Sequence, residues 1–454
     1  MISPEFRLYT IRRELTSVLY RRLHKYLNNS FWIMGEKVVG VGLAFFSTVF
    51  VARYLGPEDF GSLAYALSLA ALFAAAGHMG LSGLVVREIV KNEADRGETL
   101  VTAALLKLLG MVAGYAVLLI YAASYEGLGT TEFYLIAFAG AALLFRPMDV
   151  VDFWFQAFMQ ARYTAIARIL SYLVTTAFKL ALVFAGTGLM YFATAQILQA
   201  ALSALLLLVF FWLKARVRVA GWRFSWVRAK EFLSQGWLIY LGSIFAVIYL
   251  KVDQVMLRWL ADTQEVGQYA VAAQISEAWY FIPTAIVASF FPKLIKLREE
   301  DEALFKYRLQ QLFDALLLIG LIVAVVITIA APWIIDVFFG SDYVDSASIF
   351  VVHIWAAIFI FMRTAFSKWI LIENVLVFSL ITQGLGAVTN VLLNLTLIPA
   401  YGGIGAAYAT LLSYAMASFL ALFFYRRTRP VFWQMARALL SPIRYSVRLV
   451  CMMR

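Results

Sequence analysis

Six basic side chains interrupt long apolar runs in this sequence: Lys37, Lys107, Arg146, Lys179, Lys251 and Arg363. A cation in hydrocarbon is expensive, so each must face protein, water or an interface. What such groups offer is electrostatic: a wet, cationic cavity that attracts an anion. At about 1.5 Å of rise per residue, Lys37, Lys107, Lys251 and Arg363 lie within roughly 9 Å of the end of a span, where snorkelling competes with a functional role. Lys179 falls near the middle of its span, and Arg146 lies about 13 Å inside. Arg146 and Lys179 are therefore the leading candidates to hold an anionic substrate, with Lys37, Lys251 and Arg363 behind them.

Acidic and amide residues accompany the cations. Arg146-Pro147 is followed by Asp149 and Asp152. Spacing of i, i+3, i+6 puts the three charges on one side of a helix, which Pro147 can kink. Two readings stand: a self-neutralising Arg–Asp pair, or a gated cation at a wet cavity. Lys251 and Asp253 are two residues apart and do not face each other. Glu277 falls within the eighth apolar segment and Asp314 near the start of the ninth. Buried carboxylates of this kind bind a proton or sodium ion, or pair with the cations. Asp149, Asp152, Asp253 and Glu277 are the candidates for ion coupling or gating. Gln383, Asn390 and Asn394 share one helical face, a polar stripe suited to interhelical hydrogen bonding.

Other chemistry is missing from the sequence. There is no P-loop and no nucleophile elbow. Cys451 is the single cysteine, and His24, His78 and His353 are far apart, so no metal or cofactor site is expected. Gly40-Val-Gly42 and Gly110-Met-Val-Ala-Gly114 suit close helix packing better than phosphate binding. Transport is expected, not catalysis.

The elements that carry these residues are membrane spans. The chain has 454 residues, 63% hydrophobic and 14% charged, with mean hydropathy +0.82; a soluble domain has about 25% charged residues. Twelve apolar segments reach the roughly 20 residues a spanning helix needs: 31–53, 62–83, 101–122, 132–155, 169–186, 190–213, 234–257, 268–291, 312–337, 347–367, 375–398 and 405–425. Of the 38 Lys and Arg, 30 fall between or beyond spans on one side and two, Arg53 and Arg258, on the other. That asymmetry puts both termini in the cytoplasm. It also ties the net charge of +11 to the membrane surface and not to nucleic acid.

Residues 1–30 read as a basic amphipathic helix on the membrane surface, with Phe6 to Leu27 as its body. The basic stretch 214–233 divides a lobe at 31–213 from a lobe at 234–425, and a basic cytoplasmic tail fills 426–454. The halves echo each other: Arg53-Tyr-Leu-Gly…Phe60-Gly61 after the first span, Arg258-Trp-Leu-Ala…Val266-Gly267 after the seventh. Duplicated six-helix halves are a transporter architecture with the substrate site between them. The expected fold is all-α and polytopic: two pseudo-symmetric six-helix lobes in a V.

Two stretches carry a family resemblance. Asn390-Val-Leu-Leu-Asn394-Leu-Thr-Leu-Ile-Pro399-Ala-Tyr-Gly402-Gly-Ile-Gly405 resembles the penultimate-helix signature of the multidrug/oligosaccharidyl-lipid/polysaccharide exporter superfamily. Ala52-Arg-Tyr-Leu-Gly-Pro-Glu-Asp-Phe-Gly61 resembles the first outer turn of its polysaccharide-transporter branch, the O-antigen or lipid-linked oligosaccharide flippases, and Lys251-Val-Asp253-Gln-Val-Met-Leu257 is similar to that branch's seventh-helix region. The resemblance implies alternating access in the inner (plasma) membrane and a substrate of polyprenyl pyrophosphate bearing a sugar chain. It also implies contact with membrane lipid, a coupling proton or sodium ion, and neighbouring polysaccharide-assembly membrane proteins. A cation-coupled multidrug exporter of the same superfamily is the alternative. A lipid II type flippase would carry two further helices beyond twelve.

Overall fold

The computed structural model describes residues 4–215 and 221–444. Within them, side chains are described at Lys25 and from Asn28 onward, Leu376 excepted. The expected amphipathic face of Phe6 to Leu27 thus lies outside the described side chains. Arg216 and Arg218 of the linker, and Arg448, Cys451 and Arg454 of the tail, lie outside the described residues.

Every element among the described residues is helical. The N-terminal lobe holds α1 (Pro4–Ala74), α2 (Leu81–Lys91), α3 (Arg96–Tyr125), α4 (Thr131–Ala141), α5 (Val150–Ala157), α6 (Ala161–Phe184) and α7 (Leu189–Lys214). The C-terminal lobe holds α8 (Trp226–Leu260), α9 (Thr263–Glu277), α10 (Phe281–Glu300), α11 (Glu302–Phe339), α12 (Val344–His353), α13 (Ala356–Ile372), α14 (Leu376–Ala415), α15 (Ala421–Phe424) and α16 (Arg429–Leu439).

Among the described residues nine helices are long and apolar enough to cross a membrane, and ten when the pair bent by 44° between His353 and Ala356 counts as one. Twelve spans were the expectation. The difference lies in two fused helices, Asn28–Gly77 and Val377–Phe424, of 50 and 48 residues, each more than twice the length a span needs. Both are broken by a glycine in left-handed conformation, Gly56 (φ 73°) and Gly402 (φ 56°), which a side chain resists. Pro57 then opens the next helix, where its missing N–H costs nothing. The breaks fall just beyond the expected segments 31–53 and 375–398.

The expected fourth span, 132–155, is not one α-helix. Its middle, Ala142–Asp149, winds as a 3-10 helix around Pro147. The tighter turn resets the face that Arg146, Asp149 and Asp152 share.

The largest apolar core is continuous across the lobe junction, running from Tyr65, Leu69 and Leu118 to Tyr269, Phe313 and Phe361. A second cluster, with Leu81, Val85, Phe155 and Phe211 of the N-terminal lobe, includes Phe232 of α8. The first turns of α8 are in fact clamped to the N-terminal lobe. Buried Arg228 reaches Asp95 (3.1 Å), Glu98 (3.3 Å) and Glu88 (3.9 Å), while Arg223 bonds Glu98 (2.8 Å). Arg87 donates to Gln235 Oε1 (2.7 Å). The boundary at residue 234 is therefore a covalent landmark, and the packing boundary falls further along α8.

Replacing Arg228 with Met should leave three carboxylates around an uncharged side chain. We expect a loss of about 3 kcal/mol, read as a lowered thermal midpoint of the detergent-solubilised protein. Arg223→Met, at an exposed site, should cost under 1 kcal/mol.

Candidate functional site

Between the lobes lies a cavity of about 620 Å3, a size that holds a substantial ligand headgroup. Its walls come from α1, α6 and α7 on one side and α8 and α9 on the other. Lys37, Lys179, Lys251 and Glu277 all line it. Lys251 Nζ sits 3.2 Å from Glu277 Oε2, so that cation is matched within the C-terminal lobe. Lys37 and Lys179 make no ion pair with a described residue. Glu36, beside Lys37, accepts from Tyr172 Oη at 3.2 Å and stands 3.9 Å from Arg168. Lys37 and Lys179 are thus the cavity cations without an ion pair among the described residues, beside the Lys251–Glu277 pair, Glu36, and walls of amides, hydroxyls and apolar groups.

The cavity is sealed toward the short loops. There the two echoing turns press on each other: a Cβ at Gly61 would collide with the Thr263 carbonyl oxygen, and one at Gly267 with the Pro57 carbonyl oxygen. Only a bare Cα permits this approach. Around the contact, Tyr343 Oη donates to the Ala52 carbonyl (2.9 Å), Trp259 Nε1 to Tyr121 Oη (2.9 Å), and Arg258 lies 3.7 Å from Glu126. Beneath it, Ser68 Oγ donates to Gln254 Oε1 and Gln274 Nε2 to Thr48 Oγ1 (2.6 Å), each bond joining the lobes.

The remaining expected site residues lie elsewhere. Arg146 is exposed and not among the cavity walls, because the 3-10 turn rotates it away; it stands within electrostatic range of Tyr172 and Lys107. Of the two readings, the self-neutralising Arg–Asp pair is not seen: Arg146 makes no ion pair with Asp149 or Asp152. Asp152 instead accepts from Arg168 (3.1 Å) and Gln156 (2.9 Å). Asp149 is half-buried, within electrostatic range of Lys107. Lys107 does not snorkel: it is buried, with its ammonium 5.3 Å from the centre of the Phe153 ring. Arg363 is buried in the C-terminal lobe, donating to Thr382 Oγ1 (3.2 Å) and the Ala417 carbonyl (2.9 Å). Ala417 belongs to a π turn, Met416–Leu420, whose wider register frees carbonyls. Arg363 therefore caps a helix defect and does not reach the cavity.

Asp253 faces away from Lys251, into the C-terminal lobe, and is 2% exposed. It accepts from Tyr269 Oη (2.8 Å), Thr410 Oγ1 (2.7 Å) and Asn394 Nδ2 (2.6 Å). Asn394 also donates to Asn390 Oδ1 (3.3 Å). Yet Asn394 Oδ1 and Asn390 Nδ2 are buried without a partner among the described residues. Gln383, on the same stripe, faces Gly242 of α8 and bonds Ser379 of its own helix (3.1 Å). The stripe thus meets α8, with its two asparagines at the carboxylate.

Sequence reasoning missed Glu36, Tyr172, Gln196, Gln199, Gln254 and Gln274 as wall residues. Tyr172, Gln254 and Gln274 stand singly on three helices and carry no spacing signal, whereas Gln196 and Gln199, three apart on α7, share a face that could have been noted. Glu36 adjoined a noted lysine and could have been found.

A two-lobed, all-helical membrane transporter with a central cavity is the class these features define. The model for the family described as "Polysaccharide biosynthesis protein" matches residues 26–298, and the chain belongs to that family. It is 28% identical over 400 residues to "Probable flippase AglR" of Haloferax volcanii, covering 83% of this chain and 78% of that one. Over 333 residues it is 22% identical to "Putative O-antigen transporter" of Shigella flexneri, covering 70% and 77%. Its fold is similar to that of "Lipid II flippase MurJ, inward closed conformation", with TM-score 0.69, 14% identity and 93% of each chain covered. An inward-facing multidrug resistance MATE family transporter gives TM-score 0.62 at 16% identity, covering 89% of this chain and 95% of that one.

The glycine contact yields a direct test. Gly61→Ala and Gly267→Ala should each prevent the short-loop end from closing. Transport should fall at least about ten-fold, since a clash of this kind costs more than about 1.4 kcal/mol. Limited proteolysis of Arg258 should rise in both variants, while Gly42→Ala, with open space at its Cβ, should behave as wild type.

Proposed function

We propose that the chain is a flippase for polyprenyl-diphosphate-linked oligosaccharide, carrying the headgroup from the cytoplasmic to the outer leaflet by alternating access. The observation that carries this reading is the pair of uncompensated lysines, Lys37 and Lys179, in a cavity shared by both lobes. A diphosphate is the anion that pair suits, and the amide and hydroxyl wall suits the sugars. Relatives named as flippase and O-antigen transporter support the same substrate class. A cationic drug would meet Lys37 and Lys179 on entry, which disfavours the multidrug alternative.

Splitting the two fused helices at Gly56 and Gly402 gives twelve spans, and the basic-residue asymmetry then puts both termini in the cytoplasm of a plasma-membrane protein. On this reading the short loops are external and the closed glycine contact is the outer gate. Lys37 and Lys179 take the diphosphate from the inner leaflet. Lys251, held by Glu277, becomes available only when that pair separates. Arg146 and Arg168 supply long-range field at the cytoplasmic end.

We further infer that Asp253 is the coupling site for a proton or a sodium ion. Oxygen and nitrogen of an amide are interchangeable by shape. Turning the Asn394 amide would bring its orphaned Oδ1 beside Asp253 Oδ1 and Asn390 Oδ1. Three oxygens with Thr410 Oγ1 nearby are the donor set a hard cation takes.

Lys179→Ala and Lys37→Ala should each slow flipping of a polyprenyl diphosphate-linked sugar in proteoliposomes about ten-fold with folding intact, and the double variant more. Full activity in the double variant would remove the diphosphate assignment. Asp253→Asn should cost at least about ten-fold in rate and abolish the dependence on sodium or pH gradients. A variant that retains wild-type gradient dependence would exclude Asp253 as the coupling group.

A further inference from the structure

The floor of the cavity has a second property. Its polar groups are the same groups that tie the lobes together. Gln254 of α8 pairs with Ser68, and Gln274 of α9 pairs with Thr48; both partners are on α1, and all four residues line the cavity. The two bonds are related by the internal echo. Ser68 lies seven residues beyond Gly61, and Gln274 lies seven residues beyond Gly267. Each therefore sits two helical turns, about 10.5 Å, inside the glycine contact. The gate has a backbone seal at its tip and a pair of side-chain hydrogen bonds at its base.

Other groups in the same cavity are unmet. Gln196 and Gln199 of α7 line it and make no hydrogen bond with a described residue. Thr175 is 2% exposed, lines the cavity, and its hydroxyl has no partner among the described residues. Amides and hydroxyls with unfilled valence are what sugar hydroxyls pair with, one donor and one acceptor at a time. Phosphate oxygens only accept hydrogen bonds, so an anion that displaced Ser68 would leave Gln254 Oε1 without a donor, whereas a sugar hydroxyl can both donate to Gln254 Oε1 and accept from Ser68 Oγ.

We propose that this floor is a saccharide-sensing latch: hydroxyl groups of the bound glycan take over the hydrogen bonds of Gln254 and Gln274, and so free the lobes to part at the short-loop end. The idea rests on the lipid-linked oligosaccharide reading above. It assigns the sugar, not the diphosphate, as the trigger of opening. An exchange of hydrogen-bond partners is nearly isoenergetic, so the glycan shifts the gate by relieving the lobes of two mutual bonds. A ligand shifts such an equilibrium only through groups that interact differently with its two states. The floor has them, because its bonds exist only while the lobes meet.

The test uses full-length protein in nanodiscs carrying Cys451→Ser, which removes the single native cysteine. Spin labels go on Asp59→Cys and Asp345→Cys, exposed positions at the short-loop end of the two lobes. The probes are a polyprenyl diphosphate bearing one N-acetylhexosamine and the same lipid without sugar. Both should bind, read as a raised thermal midpoint. The sugar-bearing lipid should lengthen the inter-label distance, and the bare lipid should not. The double variant Gln254→Leu/Gln274→Leu should populate the long distance without any lipid, with the closed-to-open ratio falling about ten-fold. Thr48→Val/Ser68→Ala removes the two side-chain bonds from the other lobe, leaves only the long contact of Gln274 Nε2 to the Ala44 carbonyl (3.5 Å), and should shift the ratio in the same direction, which guards against a local folding defect in either variant. Equal opening by the bare lipid, or both double variants remaining closed, overturns the latch. Binding of neither lipid to the parent protein overturns the flippase reading, and the latch with it.

Discussion

Two bare Cα atoms hold this molecule's lobes in register. Gly61 against the Thr263 carbonyl and Gly267 against the Pro57 carbonyl bring the backbones of α1 and α9 closer than any side chain allows. Everything on the cavity side follows from that approach. Helices fixed at one end leave a space between them, and lysines, amides and hydroxyls stand among its apolar walls. The contact is also reciprocal. Each turn supplies one glycine and receives the other's neighbour, so the internal duplication has produced a self-complementary gate. Around this backbone contact the apolar core runs from one lobe into the other, while on the cavity side the lobes are joined by polar pairs that can exchange partners.

Charge burial imposes the second order on the structure. Each deep cation has found a different answer to the cost of desolvation. Arg228 gathers carboxylates, Arg363 takes a carbonyl freed by a π turn, Lys107 rests on the Phe153 ring, and Lys251 pairs with Glu277. These answers are internal and complete. Lys37 and Lys179 have no such answer within the described residues, and they are the two that face the cavity without a counter-ion. The contrast has more force than the mere presence of lysines in a membrane helix. A protein that satisfies Arg228, Arg363, Lys107 and Lys251 internally has left these two cavity lysines unpaired among the described residues.

The sequence made much of this legible, and for physical reasons. Long apolar runs and the 30-to-2 split of basic residues report the membrane because hydropathy acts locally along the chain. The paired turns at Gly61 and Gly267 were visible as an echo, although their mutual contact was not, because that is a fact of tertiary packing across more than 200 residues. Lys251 and Asp253 separated onto opposite faces as their spacing requires. The asparagine stripe met α8 as its periodicity suggested. Arg146 went astray because spacing arguments assume a constant helical pitch, and Pro147 lies in a segment that winds as a 3-10 helix. Arg363 went astray because depth along a span says nothing about which neighbour offers a free carbonyl. The four members of the floor keep echoing offsets from Gly61 and Gly267, but their pairing was not legible, because they come from separated positions and meet only when the lobes do.

Helix α8 is the element in which these constraints converge. Its first turns belong by packing to the N-terminal lobe through Arg228 and Phe232. Its last third belongs to the C-terminal lobe through Asp253, bonded to Tyr269, Thr410 and Asn394. Between those anchorages, Lys251 and Gln254 face the cavity. A helix held by both lobes cannot follow either one freely when they move. Parting the lobes at the basic end must break the Arg228 cluster or bend α8 between residues 228 and 253, and Gly236 and Gly242 lie in that interval. Glycine lowers the cost of such a bend. Because Lys251 and Asp253 are two residues apart on opposite faces, a rotation of α8 that alters the carboxylate's partners also turns the lysine relative to Glu277. Ion and substrate would then be coupled through the orientation of one helix, with no longer chain of contacts required.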